Sequence, residues 1–169
     1  MTDAERNRIF ENWIEAHKPI LFKVARAYGS SHPDREDLFQ EIALQVWHSV
    51  DAFRGDSAVT TWIYRIALNT ALAWVRKEGK HERDRADFEA STALLVAPEI
   101  KNPQVEWIYD RISQLDEVKR SLALLMLDGF SYRDMSQVLG ISESNVGVKI
   151  NRIKAALSAQ LAKEEQHEL

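Results

Sequence analysis

Residues Ser131–Leu161 read SYRDMSQVLGISESNVGVKINRIKAALSAQL, and the polar punctuation of this stretch decides the fold. Ser131 stands at the N-cap of a short helix over Tyr132–Val138, where a hydroxyl can accept from a backbone N–H that the first turn leaves without a partner. Leu139-Gly140-Ile141 is a turn, because glycine takes a positive φ without steric penalty. Ser142 caps a second helix whose apolar residues Val146, Ile150, Ile153, Leu157 and Leu161 form one stripe at helical period. The other faces carry Ser144, Asn145, Lys149, Asn151, Arg152 and Lys154, and from Asn145 to Lys163 there are four basic residues and no acid. A short helix, a glycine turn and a polar, basic second helix make the helix-turn-helix pattern, whose second helix enters the DNA major groove. An ordinary helical hairpin with a solvated face is the alternative that these residues alone leave open.

Upstream of the hairpin, Val105, Ile108, Ile112 and Leu115 share a stripe, Asp116 caps a further helix with Val118, Leu122, Leu125 and Met126 apolar, and Asp128-Gly129 stops it. Residues 105–163 therefore form a four-helix unit ending in the hairpin, with 164–169 as an acidic tail. The preceding segment 81–104, HERDRADFEASTALLVAPEIKNPQ, has no sustained period and is punctuated by Pro98 and Pro103. It reads as a flexible linker. Extended at about 3.3 Å per residue it reaches roughly 80 Å, enough to span two DNA turns of about 34 Å each.

Residues 1–80 form a second helical unit. Thr2 and Glu5 have capping-box spacing ahead of a helix with Ile9, Phe10, Trp13 and Ile14 on its apolar side. Pro19 predicts a bend or a fresh helix start, followed by Leu21, Val24, Ala25 and Tyr28 and a stop at Gly29-Ser30-Ser31. Pro33 with Asp34, Glu36 and Asp37 opens a third helix to about Phe53, with a core stripe of Leu38, Ile42, Val46 and Val50. Asp37, Gln40, Glu41, Leu44 and Trp47 lie on its neighbouring faces and mix acid, amide and large apolar groups, a composition suited to protein docking. Packing of Trp47 under the first helix is the alternative. Arg54–Ala58 is a loop, and Thr60 or Thr61 opens a fourth helix. Tyr64, Arg65, Asn69, Arg76, Lys77 and Lys80 interleave aromatic, amide and basic groups along it, as single-stranded nucleic acid requires. A core helix with a basic last turn explains the same residues.

Composition supports an all-α class: 45% of the 169 residues are hydrophobic, and there are only six glycines and four prolines. The absence of cysteine excludes disulfides and cysteine-based metal sites and suits a reducing cytoplasm. The charged N-terminus has no signal-peptide core, and no stretch approaches the ~18 apolar residues of a membrane span. The net charge of −4 argues against tight DNA binding by the chain alone, since such binding draws on many phosphate contacts. His17, His32, His48, His81 and His167 are scattered without ligand spacing, and neither a catalytic triad nor a phosphate loop appears. No enzyme activity, small-molecule substrate, cofactor or metal is expected.

Two stretches together resemble the bacterial RNA polymerase sigma factors of the extracytoplasmic-function (ECF) group. One is Asp37-Leu38-Phe39-Gln40-Glu41 through Val50-Asp51-Ala52-Phe53, followed by Thr61-Trp62-Ile63-Tyr64-Arg65-Ile66-Ala67 and Asn69. The other is Leu115-Asp116, then Asp128-Gly129-Phe130-Ser131-Tyr132, Val138-Leu139-Gly140-Ile141-Ser142 and Val146-Gly147-Val148-Lys149. The resemblance implies two helical domains joined by a linker. Residues 1–80 would dock on the clamp of the polymerase β′ subunit through Asp37, Leu38, Gln40, Glu41 and Trp47. The melted minus-ten strand would be held by Arg54, Thr60, Thr61, Trp62, Tyr64, Arg65 and Asn69, with Arg76 and Lys77 on phosphates. Residues 105–163 would read the minus-thirty-five element through Ser142, Ser144, Asn145, Lys149, Asn151, Arg152 and Lys154, and the polymerase β flap would be a further contact. The resemblance also implies cytoplasmic action and an anti-sigma partner, often a membrane-bound one that holds the factor at the inner membrane. A transcriptional regulator that binds DNA as a dimer, without polymerase, is the rival reading. This chain departs from the family pattern at Ala73, where an acid is common, and at Gly147, where lysine is common; base preference is therefore not transferred.

Overall fold

The computed structural model describes residues 1–81 and 102–168, with residues 78–81 as backbone only. Among the described residues all regular structure is helical, and the chain divides into two compact units between Lys101 and Asn102. Most of the segment expected to be a linker, 82–101, lies outside the described residues.

The N-terminal unit packs three helices on one another: α1 (Asp3–Tyr28), α2 (His32–Ser49) and α3 (Val59–His81). The capping box at Thr2 forms as expected. The Thr2 hydroxyl accepts from the Glu5 N–H at 3.2 Å and the Glu5 carboxylate accepts from the Thr2 N–H at 2.8 Å. The bond donated by the Thr2 N–H, with a second from the Thr2 hydroxyl, holds the Glu5 carboxyl below its ordinary range. The expected break at Pro19 does not occur; α1 is one helix of 26 residues through it. Pro19 removes one hydrogen bond to the Glu15 carbonyl. Both residues lie on the exposed side, where water can replace that bond. Meanwhile the next two turns bury Ile20, Leu21, Val24 and Ala25 and keep the helix in register. Ile9, Phe10, Trp13 and Ile14, expected in the core, are only half-buried.

Gly29 makes the corner between α1 and α2. A Cβ there would lie 2.7 Å from Arg35 Cγ and 2.9 Å from the Arg35 nitrogen and the Ala25 oxygen. The corner is closed by the Arg35 side chain, whose Nε donates to the Gly29 carbonyl at 3.2 Å. Ser31 caps α2 by accepting from the Asp34 N–H, and the buried Asp34 carboxylate accepts from the Ser30 hydroxyl at 2.7 Å. α2 ends at Ser49 and continues as a single 3-10 turn (Val50–Ala52) before Phe53. Leu38, Ile42 and Val46 are completely buried, as are Ile63, Tyr64, Ala67 and Ala71 of α3.

The C-terminal unit comprises α4 (Pro103–Ser113), α5 (Glu117–Leu127), α6 (Tyr132–Leu139) and α7 (Glu143–His167), with α5 and α6 both packed on α7. Its first helix starts two residues earlier than the sequence suggested, because the Asn102 side chain accepts from the Gln104 N–H at 3.0 Å and Pro103 occupies the first turn. Arg120 fixes the α4–α5 corner by donating to the Ser113 and Leu115 carbonyls at 2.8 and 3.0 Å. In the hairpin, Ser131 and Ser142 each accept from the backbone N–H three residues on, at 3.1 Å, and Gly140 adopts φ +68°. The stripe of α7 is buried at Val146, Ile150 and Ile153, half-buried at Leu157 and open at Leu161. Residues 164–167, expected as a tail, form the last turn of α7, where Glu164 lies 3.9 Å from Arg111.

Gly147 is packed differently from Gly29. A Cβ at 147 would meet only the Tyr132 ring, at an ordinary 3.5 Å. Gly29→Ala should therefore lower stability by about 1–3 kcal/mol through backbone displacement, whereas Gly147→Ala should raise it by up to about 1 kcal/mol through helix propensity. Urea unfolding followed by far-UV circular dichroism checks both signs.

Candidate protein-docking and nucleic-acid interfaces

The inward stripe of α2 dictates what faces out. With Leu38, Ile42 and Val46 packed against α1 and α3, helical spacing turns Gln40, Glu41, Leu44, Gln45 and His48 toward the surface. Leu44 is 49% exposed, and the Gln45 side-chain amide donates to Glu41 Oε1 at 3.0 Å. Leu38, expected on the docking face, belongs to the core instead: it is wholly buried and cannot touch a partner while the bundle is folded. Asp37, Gln40 and Glu41 are half-buried.

Trp47 packs against the start of α1. Its indole N–H donates to Asn7 Oδ1 at 2.8 Å and the Arg6 guanidinium lies 4.8 Å from its ring centroid. Arg6 also pairs with Asp51, and lies 3.3 Å from Asp3. The hydrogen bond between Arg6 and Asp51 is the main reason the Asp51 carboxyl sits below the ordinary aspartate range and the Arg6 guanidinium above its own. The indole is thus half-buried and oriented from the first helix, as the alternative reading of Trp47 expected. Asn7 and Arg6 were not recognisable from sequence, because nothing local marks a pairing across 40 residues.

The loop and α3 carry the expected nucleic-acid set with one clear correction. Arg54, Arg65, Asn69, Arg76 and Lys77 are exposed and Thr60, Thr61 and Trp62 are half-buried. Tyr64 is wholly buried, so its ring is a core element and unavailable for base stacking. Trp62 is braced from two sides: its N–H donates to the Ser49 hydroxyl at 3.2 Å, and its ring lies 5.5 Å from that of Phe53, which in turn meets Trp13 edge-on at 5.2 Å. Arg65, Asn69, Ala73 and Arg76 recur every three or four residues and define one outward strip along α3.

A groove of about 430 Å³ runs between α2 and α3, lined by Glu41 and Gln45 on one side and Asn69, Thr70, Ala73, Trp74 and Lys77 on the other. It joins a residue of the expected docking set, Glu41, to two of the expected nucleic-acid set, Asn69 and Lys77. Gln45, Thr70 and Trp74 were not anticipated there; their signal was only their helical register with Glu41 and Asn69.

On α7, Ser142, Ser144, Asn145, Asn151, Arg152 and Lys154 are exposed and Lys149 is half-buried. The Ser142 hydroxyl is already occupied as an acceptor by the Asn145 N–H. The unit also has an apolar groove of about 220 Å³ between α4, α5 and α7, lined by Trp107, Ile112, Met126, Leu127, Leu157 and Leu161 among others. No group of metal-ligating side chains, and no helix long and apolar enough to cross a membrane, occurs among the described residues.

A three-helix bundle followed by a unit that ends in a helix-turn-helix is the plan of a DNA-binding transcription protein. Family models agree: "Sigma-70 region 2" matches residues 13–81 and "Sigma-70, region 4" matches residues 106–157, together well over half of the chain. Among curated proteins, the ECF RNA polymerase sigma-E factor of Escherichia coli K12 is 29% identical over 140 residues, covering 73% of this chain and 72% of that protein. Its Haemophilus influenzae namesake is 27% identical over 147 residues, covering 78% and 76%. Among solved structures, the sigma factor RpoE in complex with the anti-sigma factor NepR from Bartonella quintana has the same fold, with a TM-score of 0.72 at 21% identity over 92% of this chain and 98% of that one. CnrH, solved in complex with the cytosolic domain of CnrY, gives a TM-score of 0.66 at 25% identity over 93% and 90%. The chain belongs to the sigma-70 family, in its extracytoplasmic-function group.

The Arg6–Asp51 pair gives a pH test of the brace on Trp47. Because the folded Asp51 carboxyl is more acidic than in an unfolded chain, its contribution is present above about pH 4 and is lost as pH falls through the folded value. Asp51→Asn should therefore melt below wild type at pH 7, and the gap should close as pH falls below about 4. The Glu5 contribution is common to both proteins and cancels.

Proposed function

We propose that this chain binds core RNA polymerase through the outward face of α2 and directs initiation at promoters carrying minus-ten and minus-thirty-five elements. The observation that carries this reading is the α2–α3 groove. Residues suited to docking and residues suited to DNA sit on its two walls, in one bundle with one core. A polymerase bound at Gln40, Glu41 and Leu44 would thus fix where α3 meets the DNA to within the rigidity of that bundle. Arg54, Thr60, Thr61, Trp62, Arg65 and Asn69 would hold the melted minus-ten strand, with Arg76 and Lys77 on its phosphates. Capturing an unstacked base costs a few kcal/mol, which stacking and edge hydrogen bonds in a protein pocket can return. Melting is therefore nucleated by binding energy and needs no chemistry from this chain.

The outward face of α7 would read the minus-thirty-five element. The apolar groove between α4, α5 and α7 suits the polymerase β flap. The near-neutral charge of residues 1–80 and the acidic balance of the whole fit a factor whose DNA affinity is supplied mostly by the polymerase. An anti-sigma partner, as in the Bartonella quintana complex, would hold the factor inactive in the cytoplasm or, if membrane-bound, at the inner membrane.

Replacing Gln40 and Glu41 together with alanine removes polar groups from the α2 surface without touching its buried stripe. Core-polymerase affinity measured by pull-down or titration should fall at least about tenfold, the size of losing one or two interfacial hydrogen bonds. Promoter-dependent transcription should fall with it, while the circular dichroism spectrum stays unchanged. Unaltered core binding, or dimeric binding to a palindrome without polymerase, would favour the dimeric regulator instead.

A further inference from the structure

The reading face of α7 is polar except at its centre. Ser144 and Asn145 precede Val148 by one turn, and Asn151 and Arg152 follow it by one turn, so the five residues share the side opposite the buried Val146–Ile150–Ile153 stripe. Val148 is 50% exposed there. Next to it, Gly147 leaves the Tyr132 ring of α6, itself 40% exposed, without a covering side chain. Neither residue of the Gly147-Val148 pair helps the fold. Alanine at 147 would fit at ordinary contact distance, and glycine and β-branched valine are both poor choices for an exposed helix interior. The result is an apolar step, Val148 with the Tyr132 ring beside neighbouring Gly147, set between amide, hydroxyl and guanidinium groups.

Those polar neighbours suit the hydrogen-bonding edges of adenine and guanine. Thymine is set apart in the major groove by its C5-methyl group, which an apolar side chain recognises by contact. Building on the reading of α7 as the minus-thirty-five reader, we propose that Val148 is a specificity-determining residue that selects thymine. The Val148 methyl groups pack on the thymine C5-methyl, and Gly147 keeps the Tyr132 ring open as a second apolar wall beside it. The glycine that departs from the family pattern then has a use: a lysine side chain in its place would cover the ring.

The test uses holoenzyme assembled from the full chain and core polymerase. Duplexes randomised over the upstream element are enriched for binding, and each thymine of the winning sequence is then replaced singly by deoxyuridine, which removes only the methyl group. At one thymine or more, wild-type holoenzyme should lose about fourfold in affinity, the size of withdrawing one methyl group from water. Val148→Ala should abolish that methyl effect, and Val148→Thr, which keeps one γ-methyl, should retain it. The inference is overturned if no thymine methyl matters to wild type, or if the methyl effect persists in Val148→Ala. Enrichment of no upstream sequence at all would overturn the reading of α7 itself, and this inference with it.

Discussion

The burial of Leu38, Ile42 and Val46 is the constraint on which the N-terminal unit depends. All three are fully excluded from solvent between α1 and α3. Burial of each such side chain is worth about 1.5–3 kcal/mol, far more than any exposed ion pair on this surface could supply. Rotation of α2 about its axis would expose that stripe, so its outward face is held in one orientation. Gln40, Glu41 and Leu44 face out because Leu38 and Ile42 cannot, and the groove shared with Asn69 and Lys77 exists because the same core places α3 alongside.

The C-terminal unit reaches a comparable result by local means. Two serine caps, a left-handed glycine and the Arg120 corner set the ends of its helices, and a short stripe on α7 anchors the hairpin. The caps and the glycine act over three or four residues, so they are readable in the sequence; the Arg120 corner spans five and seven and was not. The hairpin and most helix starts were accordingly legible, as was the all-helical class. The errors came where local signals mislead. Pro19 looks like a break, yet its lost bond falls on the exposed side of a helix that packing sustains. The final turn of α7 looked like a charged tail, yet its Glu164 lies within reach of Arg111.

The exposure of the candidate site residues was legible to the extent that they lie on the outward faces of well-patterned helices. Asn69, Arg76, Lys77 and the polar residues of α7 met that condition. Leu38 and Tyr64 did not. Leu38 sits within a motif associated with docking, and Tyr64 has a hydroxyl and a ring that read equally well as surface or core; only the packing of α1, α2 and α3 assigns both to the interior. The brace on Trp47 by Arg6 and Asn7 was beyond any local pattern, since it joins the first turns of the chain to the far end of α2.

The central claim is that polymerase docking and promoter-strand contact occupy adjacent walls of one bundle. Site-specific photocrosslinking tests it most directly. A benzophenone side chain is placed at Leu44 in one sample and at Asn69 in another, each within holoenzyme on an open promoter. The account predicts that position 44 crosslinks to the large polymerase subunit and position 69 to the minus-ten strand. Crosslinking of position 44 to DNA alone, or of position 69 to neither strand, would contradict it.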